Sequence, residues 1–303
     1  MSGAAAVPQA APRAVGIACI AGSAVAFGAM AIFARFAYAD GVDTWTLLAL
    51  RFAIAAACLA TLARLRREPW PRGRDLGVAA MMGGAGYAGQ SAAYFSALGF
   101  APAGLVALLL YLHPALVAVL AALFLHERMT GARAAALALA LAGLALTVVP
   151  ALGGAPGTFP RLPVGIALGL AAASVYAVYI VVGARLTVRV APLALASVIT
   201  ASAAVVFAAI AVVVGPAAPR SPAGWLAIAA IALVSTVLAI ALFFAGLARV
   251  GATQAATLST LEPVVTIALA ALVLDERIAA IQLAGGALIL AAVLLLARAP
   301  RTG

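Results

Sequence analysis

Glu262 and His113 are ionisable side chains deep inside long apolar stretches, and each is followed by a proline. A proline inside a helix frees a backbone carbonyl and can open the helix beside a cavity. Glu262 could bind an ammonium group or take up a proton, or it could be a structural carboxyl that braces the break. His113 could contact an anionic group or titrate near neutral pH, or it could be held by a neighbouring helix.

Tyrosine and amide side chains recur at helical spacing near these two residues. Tyr87, Gln90 and Tyr94 lie three and four residues apart, which places them on one helix face. Tyr176 and Tyr179 share a face in a later stretch. Such stripes are typical of a cavity wall, although tyrosines near the ends of apolar stretches are commonly interfacial anchors. The candidate binding residues are therefore Tyr87, Gln90, Tyr94, Tyr111, His113, Tyr176, Tyr179 and Glu262.

Arg51 is a charged residue about a third of the way into the second apolar stretch. It could extend to the surface, pair with Asp40 or Asp43, or contact a carboxylate of a ligand. Of these, a structural role is favoured.

The composition places most of the chain in lipid. The 303 residues are 67% hydrophobic and 9% charged, whereas a soluble domain is nearer half apolar and a quarter charged. This excludes a cytosolic enzyme, a secreted disulfide scaffold and a disordered chain. The 18 basic residues are all arginine, so chemistry through a lysine Schiff base is excluded. The net charge of +10 indicates cytoplasmic loops facing anionic lipid rather than nucleic acid.

The chain divides into ten apolar segments that are each about long enough to cross a bilayer. We predict transmembrane helices at 14–36, 44–64, 75–98, 101–124, 131–149, 163–184, 191–214, 223–246, 251–274 and 278–298. With the N-terminus inside, thirteen arginines fall on the cytoplasmic side and four outside. This asymmetry predicts that both termini are cytoplasmic.

The two halves of the chain resemble each other. Residues 94–149 align with 243–298 without a gap, and 20 of the 56 positions are identical. Pro114 falls on Pro263, and His113 falls on Glu262. Each half holds five segments, so the second copy should enter the membrane from the opposite side. Inverted repeats of this kind are typical of secondary transporters, with the binding site at the repeat interface.

These motifs resemble the drug/metabolite transporter superfamily, in its ten-span branch with two EamA-type repeats. The stretches that carry the resemblance are Leu50-Arg51-Phe52, Leu112-His113-Pro114 with His126-Glu127-Arg128, and Leu261-Glu262-Pro263 with Asp275-Glu276-Arg277. The resemblance implies a helical bundle around a central cavity that moves small polar metabolites, and bacterial relatives are often exporters of amino acids. Many relatives have tryptophan where this chain has Phe27 and Tyr176, so its substrate could differ.

The predicted fold is an all-α membrane protein of ten transmembrane helices in two inverted five-helix repeats around a central cavity. A cytoplasmic tail (1–13) precedes the first repeat (14–149), an external linker (150–162) joins it to the second (163–298), and a short tail (299–303) follows. We expect a multi-pass protein of the bacterial inner membrane that works as a monomer. Glu127 and Glu276 are expected to shape turns, each at the start of the next helix.

The predicted function is secondary transport of small polar metabolites by alternating access, with export of amino acids or related compounds as the favoured form. Translocation of a lipid-linked or amphipathic molecule, and a non-transporting receptor or sensor, are the alternatives. No enzyme motif, cofactor site or metal site is expected, and Cys19 and Cys58 suggest neither a disulfide nor a metal ligand set. Direction, proton coupling and substrate identity stay open.

Overall fold

The computed structural model describes residues 13–98, 100–101, 106, 109–148, 161–274 and 279–298. Every regular element among these residues is a helix. Residues 1–12 of the predicted N-terminal tail, the predicted C-terminal tail and most of the predicted linker lie outside the described residues, as does the Asp275-Glu276-Arg277 motif.

The first half of the chain forms seven α-helices and one π-helical segment. The α-helices are α1 (Arg13–Gly28), α2 (Met30–Ala39), α3 (Thr44–Leu65), α4 (Gly73–Met81), α5 (Ala88–Leu98), α6 (His113–Phe124) and α7 (Gly131–Val148). The segment π1 (Met82–Tyr87) continues α4 into α5 without a break in the helical path.

The second half also forms seven α-helices and one π-helical segment among its described residues. Its α-helices are α8 (Leu162–Leu186), α9 (Pro192–Val214), α10 (Pro222–Ala232), α11 (Ala239–Val250), α12 (Ala252–Ser259), α13 (Leu261–Leu274) and α14 (Ala280–Arg298). A second π-helical segment, π2 (Leu233–Leu238), joins α10 to α11.

Six helical stretches in the described part of the chain are long and apolar enough to cross a membrane. They are Arg13–Ala39, Thr44–Leu65, Leu162–Leu186, Pro192–Val214, Pro222–Val250 and Ala252–Val273. Three shorter apolar helices, His113–Phe124, Gly131–Leu146 and Ala280–Leu296, lie at three more of the predicted positions. The all-helical membrane architecture is thus confirmed, while the count of ten spans stays a prediction.

Helices of one half pack against helices of the other half, and the main pairs stay the same when the two halves are exchanged. Helix α3 packs on α9 and α7 packs on α14, and both are pairs of equivalent helices. Helix α6 packs on α12 of the second repeat. Helix α1 packs on α11, and the converse pair, α5 on α8, is also present. Contacts that exchange in this way are the mark of a two-fold relation between two units. The interface between the repeats therefore forms the middle of the molecule.

Aromatic and small residues hold this interface together. The rings of Phe52 on α3 and Phe207 on α9 are both fully buried and stack with centroids 5.5 Å apart. Gly143 lets α7 approach α14, because a Cβ there would lie 2.6 Å from the carbonyl oxygen of Gly285. Close helix contacts through small residues are the main way that helices pack in lipid, where solvent gives little hydrophobic drive.

Carboxylates of the first loop bind backbone amides of the second half. Asp40 accepts hydrogen bonds from the amides of Arg220 (2.7 Å) and Ser221 (3.0 Å). Asp43 caps α3 through the amides of Trp45 and Thr46. Its other carboxylate oxygen accepts from the amide of Ala217 at 3.0 Å. The loop at residues 215–221 is therefore tied to the first repeat.

These contacts keep both carboxyl groups ionised. Hydrogen bonding from Ser221 is the main reason that the pKa of Asp40 lies below its usual value. Burial alone would raise the pKa of Asp43, but its hydrogen bonds outweigh that effect, with Thr46 foremost, and lower the pKa.

Glu127 makes a third contact between the repeats, and its position differs from the expectation. Its carboxylate accepts from the amides of Ala252 (2.8 Å) and Thr253 (3.3 Å), at the start of α12. The expectation that it serves the next helix in the chain, α7, was wrong. The partner is a helix of the other repeat, whose positive N-terminal end favours a carboxylate.

Candidate functional site

Two helix breaks occur at equivalent positions of the repeats. In the first, Tyr111 and Leu112 form a turn and α6 begins at His113. In the second, α12 ends before Thr260 and α13 begins at Leu261, one residue before Glu262. The offset of 149 residues places Tyr111 on Thr260. The breaks that the prolines predicted are confirmed, and each one positions an ionisable side chain in the first turn of a new helix.

The His113 ring is fixed on one side and unsatisfied on the other. It is 2% exposed, and its Nδ1 atom lies 3.1 Å from the carbonyl oxygen of Leu110. Because a carbonyl only accepts, this bond requires the proton on Nδ1, and Nε2 of the neutral ring is then an acceptor. Among the described residues Nε2 has no hydrogen-bond partner. An unpaired buried acceptor is costly, so this position favours a ligand that donates a hydrogen bond.

Tyrosine rings connect His113 to the opposite repeat. The His113 and Tyr176 centroids are 4.6 Å apart, and Tyr111 lies 6.1 Å from His113 on the other side. Tyr179 follows Tyr176 along α8 with a centroid separation of 6.1 Å. From there Tyr87, at the end of π1, lies 6.2 Å away. The structure therefore brings five of the eight predicted binding residues into one ring chain, a row of neighbouring aromatic side chains.

The Glu262 carboxyl faces the same cluster. It is partly exposed and interacts electrostatically with Tyr94, Tyr111 and Tyr176, as well as with Arg51. Among the described residues its side chain makes no hydrogen bond. The carboxylate is thus held near aromatic hydroxyl groups and a buried cation without a fixed partner.

The backbone at Glu262 is braced by the first helix. The Thr266 hydroxyl lies 2.9 Å from the carbonyl oxygen of Gly28 and 3.1 Å from that of Glu262. An added Cβ at Gly28 would lie 2.9 Å from the Glu262 carbonyl oxygen, so only glycine permits this approach. The contact positions the break while leaving the carboxyl group uncommitted.

Arg51 is the buried cation of the cluster. It is 3% exposed, and its Nε donates to the Thr236 hydroxyl at 2.8 Å. Nη2 donates to the Tyr87 hydroxyl at 3.0 Å, and Nη1 lies 2.9 Å from the Met30 sulfur. The guanidinium also lies 4.7 Å from the centroid of the Phe52 ring. The suggested pairing with Asp40 or Asp43 was wrong, because both carboxylates bind loop amides.

Arg51 joins the two π-helical segments. Tyr87 is the last residue of π1 and Thr236 lies within π2, and the two segments belong to different repeats. Ser235 in π2 is also buried, and its hydroxyl oxygen has no partner among the described residues. Single π-helical turns inside α-helices occur frequently at functional sites.

Some polar residues do not join the cluster. Gln90 is partly exposed, and among the described residues it makes no hydrogen bond to the ring chain. Thr257 and Thr260 are buried, but their hydroxyls donate to carbonyls of their own helix. Gln254 lies 3.5 Å from the carbonyl oxygen of Leu296. The hydroxyls of Thr257 and Thr260 thus satisfy backbone carbonyls in the turns just before Glu262.

The sequence favours a structural role for Arg51 and does not identify its partners Thr236 and Met30. An arginine at membrane depth is a signal by itself, since such charges are rare and functional. Nothing in the sequence marks Thr236 or Met30 as partners, because the contact depends on two π-helical segments that no local pattern announces.

Comparisons with known proteins give one family and one fold. The sequence pattern of the EamA-like transporter family matches residues 14–149 and again residues 163–298. A solved crystal structure of another protein superposes with a TM-score of 0.80 at 24% identity, over 92% of this chain and 95% of that chain. No curated protein matches this chain. The resemblance that the sequence motifs indicated is thereby confirmed, and the structural likeness shows the fold.

Proposed function

Since this chain belongs to the EamA-like transporter family, we propose that it exports amino acids or related small polar compounds across the cytoplasmic membrane by alternating access. The chain is a multi-pass membrane protein. The substrate class, the direction and the mechanism are the proposed parts.

The observation that carries the proposal is the pair of acceptors at the two helix breaks. Within the described part of the chain, His113 Nε2 is a buried acceptor without a partner, and the Glu262 carboxyl makes no hydrogen bond. His113 lies against Tyr176, and Glu262 interacts electrostatically with the same tyrosine. Two acceptors that share one aromatic neighbour suit an ammonium group, and tyrosine faces attract cations and apolar side chains.

Alternating access follows from the relation between the repeats. The exchanged helix pairs support a two-fold axis, and five spans in each half would place that axis in the membrane plane. The breaks at 111–112 and 260 would then lie at one depth near the midplane. Rocking of one half against the other would expose this site to each side in turn.

The proposed topology places both termini and the loop at residues 66–72 in the cytoplasm. Cysteine labelling from outside tests it in a background where Cys19 and Cys58 are replaced by alanine. A cysteine at Gly154 should react with an impermeant reagent, and one at Arg74 should not. The opposite pattern would reverse the orientation.

Flux in sealed vesicles tests the function. Purified protein in liposomes is loaded with each of the twenty amino acids, and counterflow of the labelled compound is measured with and without a pH gradient. We expect saturable exchange of at least one amino acid, and empty liposomes serve as the control. If no amino acid is exchanged under either condition, the proposed substrate class is wrong.

An apolar groove favours a second candidate. A cavity of about 400 Å³ lies between α4, π1 and α8, and Tyr179 forms part of its wall. Met81 and Val178 in this wall are 65% and 51% exposed. A lateral opening of this kind would suit the acyl chain of an amphipathic substrate. Transbilayer movement of a labelled phospholipid in the same vesicles would support this alternative, and its absence would leave only the polar substrate.

A further inference from the structure

Among the described residues, the hydrogen bonds of Arg51 go only to neutral groups. The three acceptors are the hydroxyl groups of Thr236 and Tyr87 and the thioether of Met30, with distances of 2.8, 3.0 and 2.9 Å. An arginine that is only 3% exposed normally bonds a carboxylate, because burying a charge without one is costly. The thioether is a weak acceptor and could readily be replaced.

The surroundings hold the guanidinium in place. Phe52 lies against one face with the charge 4.7 Å from its ring centroid, and the Thr236 bond fixes Nε. The two terminal nitrogens, which bond Tyr87 and Met30, are the pair that binds a carboxylate in the forked geometry. Tyr87 is only partly buried and belongs to the ring chain, so it connects Arg51 to the candidate site.

Glu262 supplies the opposite charge in the same site. Its backbone carbonyl oxygen lies against Gly28, and Met30, two residues further along, contacts the Arg51 guanidinium. The Glu262 carboxyl also interacts electrostatically with Arg51, and its side chain makes no hydrogen bond among the described residues. The site therefore holds one positive and one negative group, and neither is bound to a fixed charged partner by the hydrogen bonds described. A ligand with both signs of charge would satisfy both groups at once.

We infer that the site recognises zwitterions: Arg51 binds the substrate carboxylate, and Glu262 with His113 binds the ammonium group. The inference rests on the proposed function and narrows it to substrates that carry both charges. On binding, the carboxylate replaces the Met30 thioether and the Tyr87 hydroxyl at the guanidinium. Amines and simple carboxylic acids leave one charged group of the site unpaired, so they bind more weakly.

Competition with blocked analogues tests this inference in the liposomes. The probe is the labelled amino acid that the wild-type protein exchanges fastest. Unlabelled competitors are the same amino acid, its amide, which lacks the carboxylate, and its N-acetyl derivative, which lacks the ammonium. We expect each blocked analogue to compete at least about tenfold less well, because it leaves one buried charge unpaired.

Two variants assign the charges to their partners. Arg51→Gln should weaken competition by the amino acid at least about tenfold and leave competition by its amide unchanged. The preference for a free carboxylate would then disappear. Glu262→Gln should do the same for the ammonium, so that the N-acetyl analogue then competes as well as the amino acid. Arg189→Gln is the matched control, since this exposed arginine pairs with Asp75 outside the site.

A purely structural arginine would give a different pattern. If Arg51→Gln weakens competition by the amino acid and by its amide equally, the inference is wrong. It is also wrong if the two compounds compete equally well for the wild-type protein. Arg51→Lys covers the case in which the Gln variant fails to fold: it keeps the charge and should keep a reduced carboxylate preference. Exchange of amino acids without any such discrimination would overturn the inference alone, whereas no exchange of any amino acid would overturn the proposed function as well.

Discussion

The helix break at His113 and the break at Glu262 are equivalent in sequence but differ in how their side chains are held. His113 is 2% exposed, and the Leu110 carbonyl fixes one ring nitrogen. Glu262 is partly exposed, and its backbone rather than its side chain is braced, through Thr266 and Gly28. The first break offers a rigid acceptor, and the second offers a charge that is free to reorient.

This difference indicates a division of labour within the site. A fixed acceptor such as His113 Nε2 selects ligands by geometry, because its position does not adapt. An uncommitted carboxylate such as Glu262 supplies attraction that is retained while the two repeats move. The two-fold arrangement therefore contains an asymmetric site, as recognition of an asymmetric substrate requires.

The largest effect is expected for Glu262→Gln. The change keeps the shape and removes the charge, so transport should fall at least about tenfold while the protein reaches the membrane in normal amount. Counterflow and immunoblotting of the vesicles measure the two quantities. Asp75→Asn, at an ion pair outside the bundle, is the control. If Glu262→Gln transports at the wild-type rate across the pH range, Glu262 has only a structural role.

A smaller effect is expected for substitutions of His113 at the first break. Its size should depend on whether the new side chain replaces the Nδ1 donor or the Nε2 acceptor of the ring. His113→Asn can keep a donor near the Leu110 carbonyl but lacks the Nε2 acceptor. His113→Gln extends further and can place an acceptor near Nε2. We expect the apparent affinity to fall about tenfold for the Asn variant, as for loss of one hydrogen bond to a charged ligand, and less for the Gln variant. Equal losses in both variants would mean that the ring has only a packing role.

Glu127 connects the two helical stretches that contain the breaks: it follows α6 in the chain, and its carboxylate caps α12. Glu127→Gln should lower stability by about 1 kcal/mol, as for loss of a helix cap. It should change the maximal rate of exchange severalfold and leave the preference among amino acids unaltered. Thermal unfolding in detergent and counterflow kinetics measure these effects. A changed substrate preference would place Glu127 in the binding site.

The smallest effect on the site is expected far from both breaks, at Asp40 and Asp43. Their pKa values are lowered in the folded protein, so their contacts stabilise it above about pH 4 and are lost as the pH falls through the lowered values. The melting temperature of the wild-type protein should therefore drop in acid. The drop should be smaller for Asp40→Asn, with ligand affinity at neutral pH unchanged. An equal drop in both proteins would show that other groups control acid stability.

The sequence predicted the helical membrane architecture, the repeat and the two breaks because each has a local signal. Long apolar runs, an ungapped match between halves, and Pro114 and Pro263 after ionisable residues are all readable without a structure. The grouping of His113 with Tyr176 also follows from the expected repeat interface.

The partners of Arg51 and Glu127 could not be predicted, since they depend on how the repeats dock. Arg51 and Thr236 are 185 positions apart in the sequence, and Glu127 and Ala252 are 125 positions apart. Helical spacing places Gln90 beside Tyr87, but it does not determine which side chain of a shared face turns into the cluster. Sequence periodicity fixes a face of one helix, whereas contacts between helices depend on packing of both.

A double-mutant cycle on ligand binding tests most directly whether the two breaks form one site. Calorimetry with purified protein would compare the wild-type protein, His113→Asn, Glu262→Gln and the double variant, with the amino acid that exchanges fastest as ligand. One shared site predicts that the effects are not additive, with a coupling of about 1 kcal/mol or more. Effects that add within about 0.3 to 0.5 kcal/mol would show that His113 and Glu262 act independently and would contradict the account.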